Sequence, residues 1–285
     1  MLRGASERFL GVLGWPLRHT LSPVMQNAAF RAAGLEWHYL AFPVPPEELG
    51  AAIEGLRSLG AVGANVTMPH KEAVLALLDE VSGDARELGA VNTIQRVGGR
   101  LVGHNTDLDG FREFVSGDAG IEVAGRSAVV LGAGGAARAV TVALDDLGAA
   151  SIVVCARRPR AARAVARLAR RARREGAGWD GVDARVTRAD VVINSTPLGS
   201  QGEDPAPGAS FRPGQAVVDL VYHPPATPLV ERARAAGADA WGGLGMLVRQ
   251  GAASFRIWTG RGAPIETMSA AAVRALGHIG NSLPP

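Results

Sequence analysis

The chain has 285 residues, room for two domains, with 47% hydrophobic residues and a mean hydropathy of +0.10. That composition excludes a disordered chain, and no apolar run reaches the ~20 residues of a membrane span. The formal net charge is only +3 despite an isoelectric point near 9.7, and one cysteine, Cys155, rules out an internal disulfide.

Residues 1–8 lack the apolar core of a secretion signal, which together with the cysteine usage points to the cytoplasm. Residues 9–13 read as a first strand, followed by Gly14-Trp-Pro-Leu-Arg-His-Thr-Leu-Ser-Pro23 and a helix over about 24–33. Ser22 before Pro23 suits a helix N-cap, and the hydroxyl pair Thr20 and Ser22 equally suits an anion such as a carboxylate. A strand over 37–42 and a helix from Pro45 to about Gly60 come next. Gly63-Ala-Asn-Val-Thr-Met-Pro-His-Lys71 reads as a short strand that breaks at Pro69 into a helix over 72–78. Asn65 and Thr67, two apart, share one face of that strand.

Lys71 is the only lysine among 30 basic residues. A codon bias toward arginine explains the other 29, and a position that stays lysine stands where a compact ammonium can give and take a proton. Chance survival of one surface lysine explains the same count. Gly89-Ala-Val-Asn-Thr93, the turn Gly98-Gly99 and Gly103-His-Asn-Thr-Asp107 complete the first hundred residues. Their alternation of strand and helix predicts a parallel sheet. Thr20, Ser22, Asn65, Thr67, Lys71, Asn92 and Asp107 fall at loop or strand ends and suit a small polyhydroxy acid.

Residues 127–131 form a buried-type strand, and Gly132-Ala-Gly-Gly-Ala-Ala-Arg138 leads into a helix closed by Gly148. Gly132, Gly134 and Ala137 match the dinucleotide spacing: one glycine for the turn, one for the pyrophosphate, a small residue for helix packing. A glycine turn with no ligand is the plainer alternative, and the flanking strand and helix weigh against it. The next strand, 151–155, ends in Ala156-Arg157-Arg158 where an NAD site usually carries a carboxylate. Two guanidiniums there favour a 2′-phosphate and hence NADP, solvated arginines being the alternative. Nine arginines fall between Arg157 and Arg174 in a segment with helical alanine-leucine spacing, and no aromatic interleaves them as a nucleic-acid surface requires. Strands at 191–193 and 216–220 end in Asn194-Ser-Thr-Pro-Leu-Gly199 and Val221-Tyr-His-Pro224. The six histidines, at 19, 38, 70, 104, 223 and 278, show no metal-ligand spacing, and no Gly-x-Ser-x-Gly elbow is present.

With Gly243-Leu-Gly-Met-Leu-Val248, these seven motifs stand in the order found in the shikimate dehydrogenase family, which the sequence resembles over nearly its whole length. The resemblance implies an α/β substrate domain over 1–107 and a Rossmann-type doubly wound NADP(H) domain over 108–242. It also implies C-terminal helices over 243–285 returning to the first domain. It implies reversible NADPH-dependent reduction of 3-dehydroshikimate to shikimate, with Lys71 and Asp107 as the catalytic pair. Thr20, Ser22, Thr67, Asn92, Tyr222 and Gln250 would hold substrate. Gly132, Gly134, Gly135, Ala136, Arg157, Arg158, Thr196 and Gly243 would hold cofactor. No metal, nucleic acid or membrane is expected, and the protein would be a monomer or homodimer. Thr20 replaces the family's usual serine, and Ala156 an asparagine common before the NADP arginine. A relative acting on quinate or an aminoshikimate with NAD is the nearest alternative.

Overall fold

The structure, a computed structural model, describes residues 8–17 and 20–281, with side chains as far as residue 277. Residues 1–7, Arg18 and His19 of the first motif, and the His278 side chain lie outside the described residues. The chain divides into two compact units, Met1–Thr106 with Val248–Pro285, and Asp107–Leu247.

The first unit runs β1 (Arg8–Gly14), α1 (Ser22–Ala32), β2 (Trp37–Pro43), α2 (Leu49–Ser58) and β3 (Gly63–Val66), then β4 (Glu80–Val81), α3 (Gly83–Leu88), β5 (Thr93–Val97) and β6 (Arg100–His104). Its sheet has the order β2-β1-β3-β5-β6-β4. β2, β1 and β3 are parallel, but β5 lies antiparallel to both β3 and β6. The expected all-parallel sheet is therefore mixed. The cause is local: Gly98 and Gly99 both have positive φ (57° and 86°), the two-residue turn that closes a hairpin. α2 turns Leu49, Ile53 and Leu56 onto the core, which also holds Leu13, Val66, Ile94 and Leu101.

The expected helix over 72–78 is only a 3-10 turn, Ala73–Leu77. The chain must reverse at once, because the Asp79 carboxylate is fixed by the Leu101 N–H and by Arg57, both at 2.7 Å.

The second unit runs α4 (Asp107–Glu113), β7 (Ser127–Leu131), α5 (Gly135–Asp146), β8 (Ser151–Cys155), α6 (Pro159–Ala166), β9 (Arg173–Ala177), α7 (Val182–Arg188), β10 (Val191–Asn194), β11 (Ala216–Asp219), α8 (Pro228–Ala235) and β12 (Asp239–Trp241). The sheet order is β12-β11-β10-β7-β8-β9, with every pairing parallel. Counted within the unit, that is the doubly wound order 3-2-1-4-5-6, whose switch point lies between β7 and β10. Its central strands β7, β10 and β11 are largely apolar and buried, as a sheet covered on both faces requires, while the edge strand β9 carries Arg173, Arg174 and Glu175.

The arginine-rich helix is half the length that its spacing predicts. α6 ends at Ala166 because the buried Asp145 carboxylate takes the N–H groups of Arg170, Arg171 and Ala172 at 2.7–3.2 Å. A continuing helix would have given those donors to carbonyls four residues back. Burial pushes the Asp145 pKa up, but the three donors outweigh it and hold the group below its ordinary value.

α9 (Leu244–Thr259) carries the chain back to the first unit at Val248, and α10 (Ile265–Asn281) ends the described structure. Gln26 Nε2 donates to Gly251 O at 2.9 Å, Trp258 Nε1 to Ile94 O at 2.9 Å and Gln95 Nε2 to Ile257 O at 2.7 Å. A Cβ at Gly251 would stand 2.4 Å from Met25 Cε, so glycine lets α9 lie close on α1.

Candidate active site

In the first unit the site is built on the ends of β1, β3 and β5. Trp15 N–H donates to Met68 O at 3.0 Å and Thr67 N–H to Leu13 O at 2.8 Å, tying together the loops that follow β1 and β3. Gly14 permits this, since a Cβ there would meet Thr67 Cγ2 at 2.4 Å. Thr20 and Ser22 come together: Thr20 Oγ1 accepts the Ser22 N–H at 3.3 Å. Ser22 is not the N-cap that its place before Pro23 offered. Leu21 holds the cap position with no side-chain cap bond, so Ser22 is itself helical and buried, its hydroxyl bonded to Tyr39.

Lys71 is half-buried, and its carbonyl accepts the Val91 N–H at 2.8 Å, which ties it to the loop carrying Asn92. Its neighbour His70 is buried, with Nε2 2.7 Å from Val44 O. Asn92 Nδ2 donates to Thr106 Oγ1 at 2.9 Å and reaches Gln250 Oε1 at 3.5 Å, while Asn92 Oδ1 takes the Thr106 N–H at 2.7 Å. Asp107 follows Thr106 in the chain, is buried, and opens the second unit.

Beneath these residues lies a buried polar network that sequence reasoning only partly saw. Asn65 Nδ2 faces Asn92 O, Thr93 Oγ1 and Ser254 Oγ at 2.9–3.0 Å, and its Oδ1 accepts the Tyr39 hydroxyl at 2.6 Å. Burial raises the Tyr39 pKa well above a tyrosine's ordinary value, opposed by the bond to Ser22, so the phenol keeps its proton and donates it. Tyr39, Thr93, Thr106 and Ser254 are absent from the expected set. Ser254 was readable, standing four residues after Gln250 on one helix face. Tyr39 carried no signal beyond a tyrosine in a strand.

In the second unit Gly132 has φ +110°, and a Cβ there would meet Ser195 Oγ at 2.7 Å. Gly134 is different: it caps α5 without a side-chain bond, and a Cβ there would meet nothing within 4 Å. Ala137 is fully buried, and no acidic residue stands in the first turn. This is an open helix N-terminus suited to a pyrophosphate, with Gly135 and Ala136 in its first turn. Arg157 and Arg158 are exposed beyond the end of β8, so the donor set fits a dinucleotide with a 2′-phosphate.

Asp219 and Asn194 hold the remaining cofactor-side loops. Asn194 Oδ1 accepts both the N–H (3.0 Å) and the hydroxyl (2.7 Å) of Thr196, and its Nδ2 donates to Asp219 Oδ1 at 2.9 Å. Asp219 also accepts the Thr227 hydroxyl at 2.7 Å and the Val221 N–H at 3.0 Å, beside Tyr222. Burial raises the Asp219 carboxyl to about 6, against these three hydrogen bonds. Gly243 N–H donates to Val221 O at 3.0 Å, and a Cβ on Gly243 would stand 2.1 Å from Leu220 O. Cys155 is buried, its thiol pushed up to about 11 by burial, and is inert. Among the described residues, no three His, Cys, Asp or Glu side chains gather as a metal site, and no helix is long and apolar enough to cross a membrane.

A doubly wound unit with an open glycine turn, joined to a unit that presents hydroxyl, amide and ammonium groups, defines a dinucleotide-dependent oxidoreductase. Residues 12–94 match the shikimate dehydrogenase substrate binding domain, and residues 243–273 the shikimate 5′-dehydrogenase C-terminal domain. An NADP⁺ shikimate dehydrogenase of Symbiobacterium thermophilum is 47% identical over 94% of this chain and 95% of its own. A shikimate dehydrogenase solved in complex with NADP⁺ superposes with a TM-score of 0.86 at 37% identity, covering 95% of this chain and 96% of its own. That of Thermus thermophilus, solved with NADP(H) and shikimate, gives 0.81 at 40% identity, over 94% and 99%. The chain belongs to the shikimate dehydrogenase family.

Proposed function

We propose that the protein catalyses the reversible NADPH-dependent reduction of 3-dehydroshikimate to shikimate, a step of aromatic amino-acid biosynthesis. The observation that carries this reading is the 47% identity, over nearly the full length of both chains, with a relative named for that activity. When bound, the reduced nicotinamide supplies a hydride to the carbonyl carbon.

The chain's own residues do the rest. The Lys71 ammonium gives its proton to the carbonyl oxygen and takes it back in the reverse direction. Asp107 orients the lysine and the substrate hydroxyls. Thr20 and Ser22 donate hydroxyls to the substrate carboxylate, with Tyr222 as a third donor. Thr67, Asn92 and Gln250 take the ring hydroxyls, and the network through Asn65 keeps Asn92 in one orientation, which lowers the reorganisation each turnover needs. Gly132, Gly134, Gly135 and Ala136 receive the pyrophosphate, Arg157 and Arg158 the 2′-phosphate, and Thr196 and Gly243 the nicotinamide side. The reading takes a substrate domain of 1–107 with 243–285 and a cofactor domain of 108–242; the partition at residues 106/107 and 247/248 supports a discontinuous first domain but leaves Asp107 and residues 243–247 with the second unit. The same reading makes it a cytoplasmic enzyme of small molecules, a monomer or homodimer, with no nucleic-acid partner.

The test is to supply shikimate or quinate with NADP⁺ or NAD⁺ and follow the absorbance of the reduced nicotinamide. Shikimate with NADP⁺ gives the highest kcat/KM. A higher value for quinate with NAD⁺ would replace this reading with its nearest relative, and no turnover of either would remove it.

A further inference from the structure

Nine of the chain's 29 arginines fall within residues 157–174, and all nine side chains are exposed. A codon bias exchanges lysine for arginine everywhere and does not concentrate charge. Here the charge is concentrated: the segment holds no Asp or Glu, and over the rest of the chain 27 acidic residues outnumber 21 basic ones. The second unit thus carries a local positive pole on a protein that is otherwise net negative.

The pole has a defined shape. Arg160, Arg163 and Arg167 recur at helical spacing, continuing along α6 and its C-cap the line begun by Arg157, while Ala162, Val165 and Ala166 are buried. Arg173 and Arg174 lie on β9, the edge strand of the sheet. β9 is pressed onto α6 because Gly176 has no side chain; a Cβ there would stand 2.3 Å from the Arg163 backbone. Arg174, two residues before Gly176, shares its α6-facing side of the strand and extends the basic line of α6, which begins at the two arginines assigned to the 2′-phosphate, while Arg173 points to the opposite face. Glu175, the next residue along β9, is paired with Arg185 at 3.1 Å.

We infer that this basic line captures the anionic cofactor at long range, drawing NADP(H) in by its phosphates before Arg157 and Arg158 engage it. The inference rests on the NADP reading above. Arg167 lies about 12 Å along the helix from its start, beyond the Debye length of roughly 8 Å at physiological salt. At that salt Arg167 therefore adds little to the bound complex, and the basic line as a whole acts chiefly on the approaching ligand. A low-dielectric surface of one sign raises on-rates by about 10- to 1,000-fold at low ionic strength.

The experiment is stopped-flow binding of NADPH, followed by its fluorescence, to the intact protein and to a variant carrying Arg163→Glu and Arg167→Glu. At ~10 mM salt, where the field reaches roughly 30 Å, the variant binds about tenfold more slowly, and its dissociation rate changes by less than its association rate. Near 0.5 M salt, where screening shortens the field to a few ångströms, the two on-rates converge to within about twofold. Arg163→Gln with Arg167→Gln gives an intermediate slowing. Equal on-rates at low salt, or a difference that survives high salt, overturn the inference while leaving the NADP reading intact. No NADPH binding by the unsubstituted protein overturns both.

Discussion

The two six-stranded sheets solve the problem of holding a ligand in opposite ways. The second unit's sheet is parallel with an apolar centre, and the cofactor site proposed for it is written in backbone: glycines at 132, 134 and 243, and the N-terminus of α5. The first unit's sheet is mixed and carries a buried polar network through its strands, so its site is written in side chains. A backbone site recognises what all dinucleotides share. A side-chain site, its ligand-facing groups held in place by a satisfied network behind them, distinguishes one polyol from another, because a ligand lacking a group leaves a ligand-facing donor unpaired. On the proposed function, substrate choice belongs to the first unit and cofactor choice to the second.

The sharpest way to break this division is at Lys71. Lys71→Ala lowers kcat by about 100- to 10,000-fold while the NADPH dissociation constant stays within about twofold of the parent's. Steady-state rates and a binding titration check both halves. A small kcat effect would place the proton path elsewhere.

Asn65→Ala tests the network behind the site. It removes the acceptor of the Tyr39 hydroxyl, which keeps only its bond to Ser22, and withdraws a donor from Asn92 O, Thr93 and Ser254, at a cost of about 2–4 kcal/mol in stability. Denaturant unfolding reads that cost, and KM for shikimate rises while KM for NADP⁺ does not.

Two glycines of one turn sharpen the same contrast. Gly132→Ala is destabilising by about 2 kcal/mol, since alanine resists a positive φ and its Cβ would collide with Ser195. Gly134→Ala is expected to leave stability within about 0.5 kcal/mol, because its φ is −91° and nothing crowds its Cβ. It raises KM for NADP⁺ about tenfold by occupying the space meant for pyrophosphate. Melting temperatures and KM values separate the pair.

The smallest effect is electrostatic. Asp219 titrates near 6 in the folded protein, above its unfolded value, so folding takes up a proton between pH ~4 and ~6. Its contribution to stability is therefore fully present at low pH and lost as pH rises through that window. Asp190, held low first by the Ser127 hydroxyl and N–H, behaves oppositely and loses its contribution as pH falls. Asp219→Asn removes the first slope, so the stability difference between parent and variant changes by up to about 1.4 kcal/mol per pH unit across the window. A difference independent of pH would contradict this assignment.

The second unit was legible in the sequence because strand period, glycine turn and closing glycine are local signals. What was missed there, the early end of α6, depends on Asp145, far away in sequence. The hairpin of β5 and β6 was announced by Gly98-Gly99, but the alternating pattern around it favoured a parallel sheet. Motif residues such as Asn92 and Lys71 could be named. Tyr39 and Ser254 could not be joined to them, since their hydrogen bonds span 26 and 189 residues to Asn65.

The most direct test of the division of labour is a double-mutant cycle of Thr20→Ala and Arg158→Ala, read as kcat/KM for shikimate and for NADP⁺. Thr20→Ala is expected to affect the shikimate constant and Arg158→Ala the NADP⁺ constant, and the double variant to show the sum to within about 0.5 kcal/mol. A coupling above about 1 kcal/mol, or a Thr20 effect on NADP⁺ as large as on shikimate, would contradict that division.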